Sequence, residues 1–334
     1  MSRIPRAELE AKVAAAFVAA GATKDAADSV ARALVAAEID GQKGHGLSRV
    51  PSYAAQARSG KVDGRARPRI ERVRPGAIRI DAASGFAYPA IDLAVEELKR
   101  LAPAQGIALA AIAHSHHCGV LGHPVERLAE AGLVALAFGN SPEAIAPWGG
   151  NRAIFGTNPI AFACPRAGQA PLVIDLSLSK VARGKIMVAA EKGEAIPEGW
   201  AVDKDGRPTT DAKRALGGAM LPMGDAKGAQ LVLMVEILAA ALGASNFGFE
   251  ASSFFDAQGA PPHVGQLLIA IDPAAPSGGR FAERLEALIA AIAAQPGARL
   301  PGQKRLAGRA QAKDGTVEVD AETLARIEAL VGKA

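Results

Sequence analysis

The sequence is poor in cysteine and in aromatic residues, and it has no long uninterrupted apolar run. Only two cysteines, Cys118 and Cys164, occur among 334 residues, which argues against a disulfide framework and fits a reducing compartment. The first ten residues lack the apolar core of a signal peptide, and each long apolar stretch meets Glu or Lys before reaching the roughly 20 residues that a membrane span requires. We therefore expect a cytoplasmic protein with no membrane partner.

No charge of one sign dominates the chain. The 38 basic and 34 acidic residues are interspersed and give a formal charge of +4, so no basic block is available to nucleic acid. This balance suits a small anionic ligand better. Hydrophobic residues make up 49% of the chain, which is enough for a packed core at this length. We therefore expect a globular protein with a small carboxylate as its partner and no nucleic-acid partner.

The chain also lacks the glycine motifs of the common nucleotide-binding folds. In doubly wound domains the pattern Gly-x-Gly-x-x-Gly directly follows a strand, because the glycines let the backbone approach a pyrophosphate. The nearest match, at residues 44–46, lacks the third glycine and follows a predicted helix, and no Walker-type lysine loop occurs. A dinucleotide, if one binds, must therefore be held by a different fold.

Hydrophobic periodicity predicts a helical N-terminus, an α/β middle and a helical tail. Leu9, Val13 and Phe17 recur at helical spacing, and Val30 and Leu34 repeat the pattern after a break. Strands are predicted at 77–81, 107–113, 133–138, 160–164, 172–176 and 266–271. Further helices are predicted at 90–101, 124–131, 181–192, 229–242, 280–293 and 321–331. A polar stretch at 61–75 predicts a boundary near residue 70, with 1–70 and 280–334 as a helical subdomain and 71–279 as an NAD(P)-binding α/β domain.

A histidine between two glycines is the first candidate for chemistry. In residues 44–49, Gly-His-Gly-Leu-Ser-Arg, helical geometry would place His45 and Arg49 on one face. A guanidinium can hold a substrate carboxylate with two hydrogen bonds, while an imidazole can deliver a proton as a 2-oxo or 2-imino acid is reduced. A surface histidine beside a solvated arginine explains the spacing equally well. The segment alone therefore leaves both interpretations open.

Four histidines within ten residues form a second candidate site. His114, His116, His117 and His123 surround Cys118 in a loop between a predicted strand and a predicted helix. Imidazole and thiolate both bind zinc, so a zinc hydrolase is the rival enzyme class, but the spacing matches no common zinc pattern. Such a loop can instead contact the phosphates or ribose of a cofactor, or simply pack. We favour the cofactor and assign no metal.

Polar and basic residues next to glycine or proline mark further candidate contacts. Thr157 and Asn158 precede a proline and either face a ligand or form a structural turn. Lys227 stands just before an apolar helix, whose N-terminal N–H groups also attract phosphate. The basic loop 299–305 either holds the 2′-phosphate of NADP or is a solvated linker. This loop favours NADP over NAD as the cofactor.

In order along nearly the whole chain, these segments resemble landmarks of the malate/L-lactate dehydrogenase family, which are NAD(P)-dependent reductases unrelated to the Rossmann-type enzymes. The similar segments are residues 40–49, 115–119, 147–150, 156–161, 182–185, 197–200, 208–211, 227–228 and 301–302. The resemblance implies an α/β (α+β) homodimer with a non-Rossmann nicotinamide-binding fold. It also implies a central mixed, largely antiparallel sheet and a helical subdomain formed by the two chain ends.

The resemblance further implies hydride transfer between the nicotinamide and C2 of a small 2-oxo or 2-hydroxy acid of the malate, lactate or sulfolactate type. By the same comparison, His45 is the acid/base, Arg49 binds the substrate carboxylate and Thr157 contacts the substrate. The residues implied to line the cofactor, NADP or NAD, are His116, His117, Cys118, Gly119, Val120, Asp175, Leu176, Ser177, Lys227, Arg299, Pro301, Gly302, Lys304 and Arg305.

Two residues depart from the family pattern. Many relatives carry a serine before the catalytic histidine as part of a proton relay, where this chain has Gly44. The branch that reduces cyclic imines carries an aspartate where this chain has Lys185, so we expect Lys185 or a water to tune and reprotonate His45. Residues 243–250 still resemble that branch, whereas residues 118–122 resemble enzymes that act on sulfolactate. Reduction of pyrroline- or piperideine-2-carboxylate is therefore the alternative to 2-hydroxy acid chemistry.

Overall fold

Strands from the middle of the chain form one central sheet in the computed structural model, which describes residues 2–332. The strands are β1 (Ser2–Pro5), β2 (Arg69–Arg74), β3 (Ala77–Asp81), β4 (Ile107–Ser115), β5 (Val134–Gly139), β6 (Ile160–Arg166), β7 (Gln169–Leu176), β8 (Ala201–Val202), β9 (Ala219–Met220), β10 (Val264–Ile271) and β11 (Thr316–Val319). The seven-stranded sheet has the order β2-β3-β4-β10-β5-β6-β7. Its β3 and β4 pair in parallel, and its other neighbours pair antiparallel. The predicted mixed, largely antiparallel sheet is thus confirmed.

Helices pack on both faces of this sheet and also form a layer from the chain ends. The helices are α1 (Arg6–Ala19), α2 (Lys24–Ile39), α3 (Val50–Ser59), α4 (Ala87–Gln105), α5 (Gly122–Glu130), α6 (Arg183–Lys192), α7 (Ala212–Leu216), α8 (Asp225–Glu236), α9 (Phe281–Ala293), α10 (Gln303–Gln311) and α11 (Ala321–Val331). Two 3-10 turns, Lys43–His45 and Leu47–Arg49, follow α2, and a π-helical turn, Ile237–Ala241, follows α8. Within residues 2–332, no helix is both long and apolar enough to cross a membrane.

The middle strand, β10, shows why the sheet is covered on both sides. It lies between β4 and β5, and Val264, Leu267 and Leu268 are at most 1% exposed. Leu268 belongs to the core formed with α4 and α5, while Leu267 packs on the opposite face with Val232 of α8. Burying such a side chain contributes about 1.5–3 kcal/mol, so this strand stabilises both layers. A continuous apolar run therefore identifies it in the sequence.

The two ends of the chain meet, in agreement with the prediction. Strands β1 and β11 pair antiparallel, with Ser2 opposite Val319. Ile327 of α11 is fully buried and shares a core with Leu9 and Phe17 of α1. The first and last parts of the chain therefore fold as one layer.

Helix α9 lies outside this layer, although we assigned it there. It contacts β6, where Arg166 donates two hydrogen bonds of 2.9 Å to Glu286. A bidentate pair of this kind fixes orientation as well as distance. Ile289 is the buried residue of α9, so its apolar pattern predicts a helix without indicating which surface it covers. Helix α9 thus packs against the sheet, and the division of the chain into domains stays a prediction.

The stretch 50–75 contains two elements that we did not predict. Helix α3 buries Val50, Tyr53 and Ala54 and ends at Gly60, which has a left-handed backbone. Strand β2 lies at the edge of the sheet and all of its residues are exposed. Without a buried face, its sequence shows no alternation of apolar and polar residues. The polar composition therefore hides a regular strand.

A buried ionic cluster joins α2, α5 and α10. Arg309 donates to Asp40 at 2.7 and 2.9 Å and to Glu126 at 2.9 and 2.8 Å. His123 Nε2 lies 3.0 Å from the Asp40 carboxylate, and Arg305 Nη2 lies 3.1 Å from Glu126. The carboxylate side chains are only 1% and 5% exposed. Burial alone raises the pKa of Asp40, but hydrogen bonds from His123 and Arg309 outweigh it and hold that pKa below its ordinary value.

We predict that Arg309→Ala lowers the free energy of unfolding by about 3 kcal/mol, because it leaves two buried carboxylates without their shared partner. The matched control is Arg326→Ala, which removes the partner of Glu322 in an exposed pair and should cost less than about 1 kcal/mol. Urea unfolding followed by circular dichroism measures both losses. Equal losses in the two variants would contradict the role assigned to the cluster.

Candidate active site

The loop that follows α2 carries the candidate acid/base, His45. At Gly46 the backbone passes against Glu38, whose carboxylate accepts a 3.1 Å hydrogen bond from Leu47 N. A Cβ at position 46 would displace that carboxylate and would lie only 3.1 Å from the Glu38 backbone nitrogen, so glycine allows this close approach. A Cβ on Gly44, by contrast, would have no atom within 4 Å. The conformation of the loop therefore depends on one of its two glycines and not on the other.

A cavity of about 170 Å³ opens beside this loop. Its lining brings together residues that are far apart in the sequence: Gln42, His45, His117, Cys118, Gly119, Val120, Leu121, Asn140, Ser141, Thr157, Pro159, Asp175 and Ser177. The predicted acid/base, one predicted substrate contact and several predicted cofactor contacts thus converge. This convergence makes the cavity the candidate active site.

The electrostatic environment of His45 keeps it neutral. Its ring stacks on that of His117, with 5.2 Å between the centroids and 19° between the planes. The hydroxyl of Tyr53 is hydrogen-bonded to Nδ1 of His117. Burial, and then the charges of Arg49 and His123, lower the pKa of His45 to about 4. Before a substrate anion binds, His45 is therefore a proton acceptor at pH 7.

Arg49 lies close enough to act on these histidines. Burial is the largest cause of the lowered pKa of His117, and the charge of Arg49 is the second largest. Its Nε donates a 2.7 Å hydrogen bond to the Gly44 carbonyl, and its guanidinium carbon lies 4.7 Å from the ring centroid of Phe255. Across residues 2–332, no carboxylate forms a salt bridge with Arg49. Its guanidinium is therefore available to an external anion.

Two buried side chains hold residues 253–256, the segment that carries Phe255 against Arg49. Lys61, whose side chain is 0% exposed, donates to Ser253 O at 2.6 Å and to Asp256 O at 3.1 Å. Gln56 donates to Phe254 O at 3.0 Å and to Asp256 O at 2.9 Å. Sequence analysis did not single out either residue, because their partners lie about 200 positions away and no local pattern marks them. These hydrogen bonds fix the segment on which the guanidinium rests.

Thr157 lines the cavity beside Ser141. The Thr157 N–H donates a 3.1 Å hydrogen bond to Ser141 Oγ, and its carbonyl accepts a 2.9 Å bond from Leu178 N. Asn158 is fully buried with a φ of 39°, a conformation that asparagine tolerates better than most residues. Sequence analysis missed Ser141, although the turn that carries it directly follows a predicted strand. Thr157 is therefore a fixed part of the cavity wall.

The ends of β4 and β7 supply the cofactor candidates in the lining. Asp175 Oδ2 accepts a 2.7 Å hydrogen bond from Gly122 N, which ties the end of β7 to the start of α5. Burial, followed by the charge of Asp175, raises the pKa of Cys118 to about 12, so this residue is an uncharged thiol. His116 is 1% exposed and lies behind the lining. Ser177 Oγ lies 2.8 Å from Ser179 Oγ.

The basic candidates lie outside the lining. Lys227 is exposed in the first turn of α8, and Arg299 is exposed between α9 and α10. Lys304 is exposed in the first turn of α10, because the predicted basic loop 299–305 becomes helical at residue 303. Arg305, by contrast, is 8% exposed and lies against Glu126 in the ionic cluster. The remaining cofactor candidates outside the lining are Leu176, Pro301 and Gly302. The cations accessible to a phosphate are thus the three exposed ones.

Lys185, which we expect to tune His45, is exposed on α6 and does not line the cavity. The charges that act on His45 are instead those of Arg49 and His123. The catalytic role of Lys185 therefore stays a prediction.

The clustered histidines have separate partners. His114 Nδ1 lies 3.0 Å from Asp81 Oδ1, and His123 pairs with Asp40. In the part of the chain that the structure describes, no three His, Cys, Asp or Glu residues are grouped so that they could hold a metal ion. Residues 2–332 therefore supply no ligand set for a zinc hydrolase.

A larger cavity, of about 820 Å³, lies between the helical layer and the sheet. It shares Cys118 and Val120 with the smaller cavity, but several of its charged residues pair with one another, as Arg127 does with Asp92 at 2.5 Å. None of the predicted catalytic and substrate-binding residues is in its lining. The smaller cavity therefore remains the candidate site.

A sequence model described as malate/L-lactate dehydrogenase matches residues 4–328. The chain belongs to the malate/L-lactate dehydrogenase family. It is an oxidoreductase of the class that acts on small 2-hydroxy and 2-oxo acids, which confirms the resemblance seen in the sequence.

The relatives of 40% identity or more include a sulfolactate dehydrogenase and cyclic imine reductases. A (2R)-3-sulfolactate dehydrogenase (NADP(+)) of Chromohalobacter salexigens is 57% identical over 310 residues, which cover 92% of each chain. A Δ1-pyrroline-2-carboxylate/Δ1-piperideine-2-carboxylate reductase of Pseudomonas putida is 42% identical and covers 99% of this chain and 97% of its own. The crystal structure of a Δ1-piperideine-2-carboxylate reductase from Pseudomonas syringae pv. tomato gives a TM-score of 0.93 at 40% identity, over 99% of this chain and 100% of that one.

Proposed function

We propose that this family member is an NADP-dependent dehydrogenase of a 2-hydroxy acid of the 3-sulfolactate kind. The observation that carries the proposal is that His45 and Thr157 line one small cavity, where the positive charge of Arg49 acts on His45. The 57% identity to a (2R)-3-sulfolactate dehydrogenase (NADP(+)) supports the choice of substrate and cofactor.

The residues around the cavity fit a phosphorylated dinucleotide. Gly119 has a left-handed backbone and passes so close to the Tyr88 hydroxyl that a Cβ would collide with it, which lets the backbone of 117–120 line the cavity. We assign the phosphates to the exposed cations Lys227, Arg299 and Lys304. Bound NADP would exchange a hydride at its nicotinamide C4 with C2 of the substrate.

The protein's own part in the reaction is orientation and proton transfer. The guanidinium of Arg49 would hold the substrate carboxylate and thereby fix C2. Neutral His45 would accept the hydroxyl proton during oxidation, and the same residue would donate it to oxygen during reduction. Thr157 would contact the substrate from the cavity wall. These roles require no metal ion.

A substrate panel tests the proposal. Purified protein is assayed with NADP and NAD on (R)- and (S)-3-sulfolactate, malate and lactate, and with NADPH and NADH on pyrroline- and piperideine-2-carboxylate. We expect sulfolactate with NADP to have the highest kcat/KM. Cyclic imine reduction is the second candidate, which the TM-score of 0.93 to a reductase of that class favours. A higher kcat/KM on a cyclic imine would replace the first proposal with the second.

We predict that kcat/KM for oxidation stays level from about pH 8 to about pH 5 and falls below that, because kcat/KM reports the free enzyme and the pKa of His45 there is about 4. Protonated His45 cannot accept the substrate proton, so activity is lost on the acid side. His45→Ala should lower kcat by about 10²- to 10⁴-fold and remove this acid limb. NADPH binding, followed by fluorescence, should persist in the variant. Near-normal turnover without His45 would overturn its role.

We also propose that the protein is a cytoplasmic homodimer. Both cysteines are free, in keeping with a reducing compartment. The large apolar side chains of α8 and the following turn are 39% to 56% exposed at Leu231, Leu233, Met234, Ile237 and Leu242. Such a face commonly marks a protein interface, and a second copy is the occupant that the family resemblance implies. Sedimentation should show a dimer for the unmodified protein and a monomer for Ile237→Glu. A monomeric unmodified protein would contradict the proposal.

A further inference from the structure

A buried carboxylate, Glu236 at the end of α8, lies behind the candidate site. It is 2% exposed. Its Oε1 accepts hydrogen bonds from Asn140 Nδ2 at 3.0 Å and from Gly248 N at 2.7 Å, and its Oε2 accepts one from Asn158 Nδ2 at 2.6 Å. The reaction proposed above makes no use of this group.

The polar partners of Glu236 are all donors. The orientation of the two amides is fixed by their second bonds, since Asn140 Nδ2 also donates to Asn246 O and Asn158 Nδ2 also donates to Val232 O. Burial raises the pKa of Glu236, and these hydrogen bonds oppose the rise. A protonated carboxyl would have to donate to one of its partners, and none of them accepts. The geometry therefore requires the carboxylate form.

These donors belong to the segments that build the cavity wall. Asn140 directly precedes Ser141, and Asn158 directly follows Thr157. Ser141 and Thr157 both line the cavity and are joined by the 3.1 Å hydrogen bond from Thr157 N to Ser141 Oγ. Residues 156 and 248 are glycines whose Cβ atoms would collide with the neighbouring backbone, so the segments have no space to shift. The Glu236 carboxylate thus holds both wall segments, the one that carries Ser141 and the one that carries Thr157.

We propose that Glu236 is a positioning residue for the substrate, acting through Thr157 and Ser141. Its carboxylate sets the separation of the two wall segments, and the wall in turn places the substrate between Arg49 and His45. Helix α8 also carries Lys227 in its first turn, so the carboxylate that holds the wall and an assigned phosphate contact belong to one helix. The inference rests on the proposed function, in which Thr157 contacts the substrate.

The test begins with Glu236→Gln, which keeps the size of the side chain. Whichever way the new amide turns, its NH₂ group faces an N–H donor, so one wall segment loses its acceptor. We expect kcat/KM for the acid substrate to fall by on the order of 10- to 100-fold, mainly through KM, because a shifted wall weakens a contact that the substrate already makes when it binds. The Kd of NADPH should change by less than about twofold, since the cofactor contacts are untouched.

The matched control is Glu191→Gln, an exposed glutamate on α6, which should leave every parameter unchanged. Glu236→Asp keeps the charge but shortens the side chain, and it should show the same selective rise in KM to a smaller extent. Thermal unfolding of each variant identifies any loss of fold. If Glu236→Gln does not fold, Glu236→Asp alone decides the outcome.

A double-mutant cycle separates positioning from general stability. If Glu236 acts through the wall, Glu236→Gln in a Thr157→Ala background should lower kcat/KM by less than about threefold more. If the kcat/KM loss of the double variant equals the product of the two single losses, the proposal is overturned. Normal KM values in both Glu236 variants of an active enzyme would also overturn it. Absence of turnover by the unmodified protein on the whole panel would instead overturn the proposed function. In that case the amides of 156–158 are compared by hydrogen exchange, and equal exchange in Glu236→Gln overturns the positioning role.

Discussion

The salt bridges from Arg309 to Asp40 and Glu126 connect the parts of the chain that build the site. Asp40 directly precedes the segment 41–49, which carries His45, and Arg309 belongs to α10, which follows residues 299–302. Glu126 belongs to α5, which begins just after the cavity-lining segment 117–120. Because separation would leave buried charges unpaired, these segments have one strongly favoured arrangement. The loop for proton transfer and two segments assigned to the cofactor thus share a single electrostatic anchor.

The positive charge of Arg49, the candidate for binding the substrate carboxylate, also lowers the pKa of His45, the candidate acid/base. Arg49 contributes to the low pKa of His45, and no carboxylate in the described part of the chain offsets it. A substrate carboxylate at Arg49 would add a negative charge beside His45 and so raise its pKa. Substrate binding and proton affinity are therefore coupled, with a neutral base before binding and a more basic group afterwards. This coupling needs no serine or aspartate partner.

The sequence predicted those features that leave a local pattern. The apolar run of β10 and the periodicity of α1 and α2 reflect burial, and burial repeats along the chain. The edge strand β2 and the surface covered by α9 were missed, because exposure in one case and a single buried residue in the other leave no such repeat.

The candidate site also contains some residues that a local sequence pattern marks and others that no pattern marks. His45 and Thr157 stand in short segments that resemble family landmarks, whereas Lys61, Gln56 and Glu236 carry no motif. Their contacts bridge up to about 200 positions, and only the folded chain brings the partners together. The side chains proposed to contact the substrate were thus accessible to sequence analysis, and the side chains that hold them in place were not.

Gly44 has a consequence for how this site can be changed by substitution. Unlike Gly46, it faces open space, so nothing in the packing requires its lack of a side chain. Replacing this one residue by serine would therefore place a hydroxyl next to His45 in the sequence without a clash at its Cβ. The packing around this loop thus accepts a side chain at position 44 as readily as it accepts glycine.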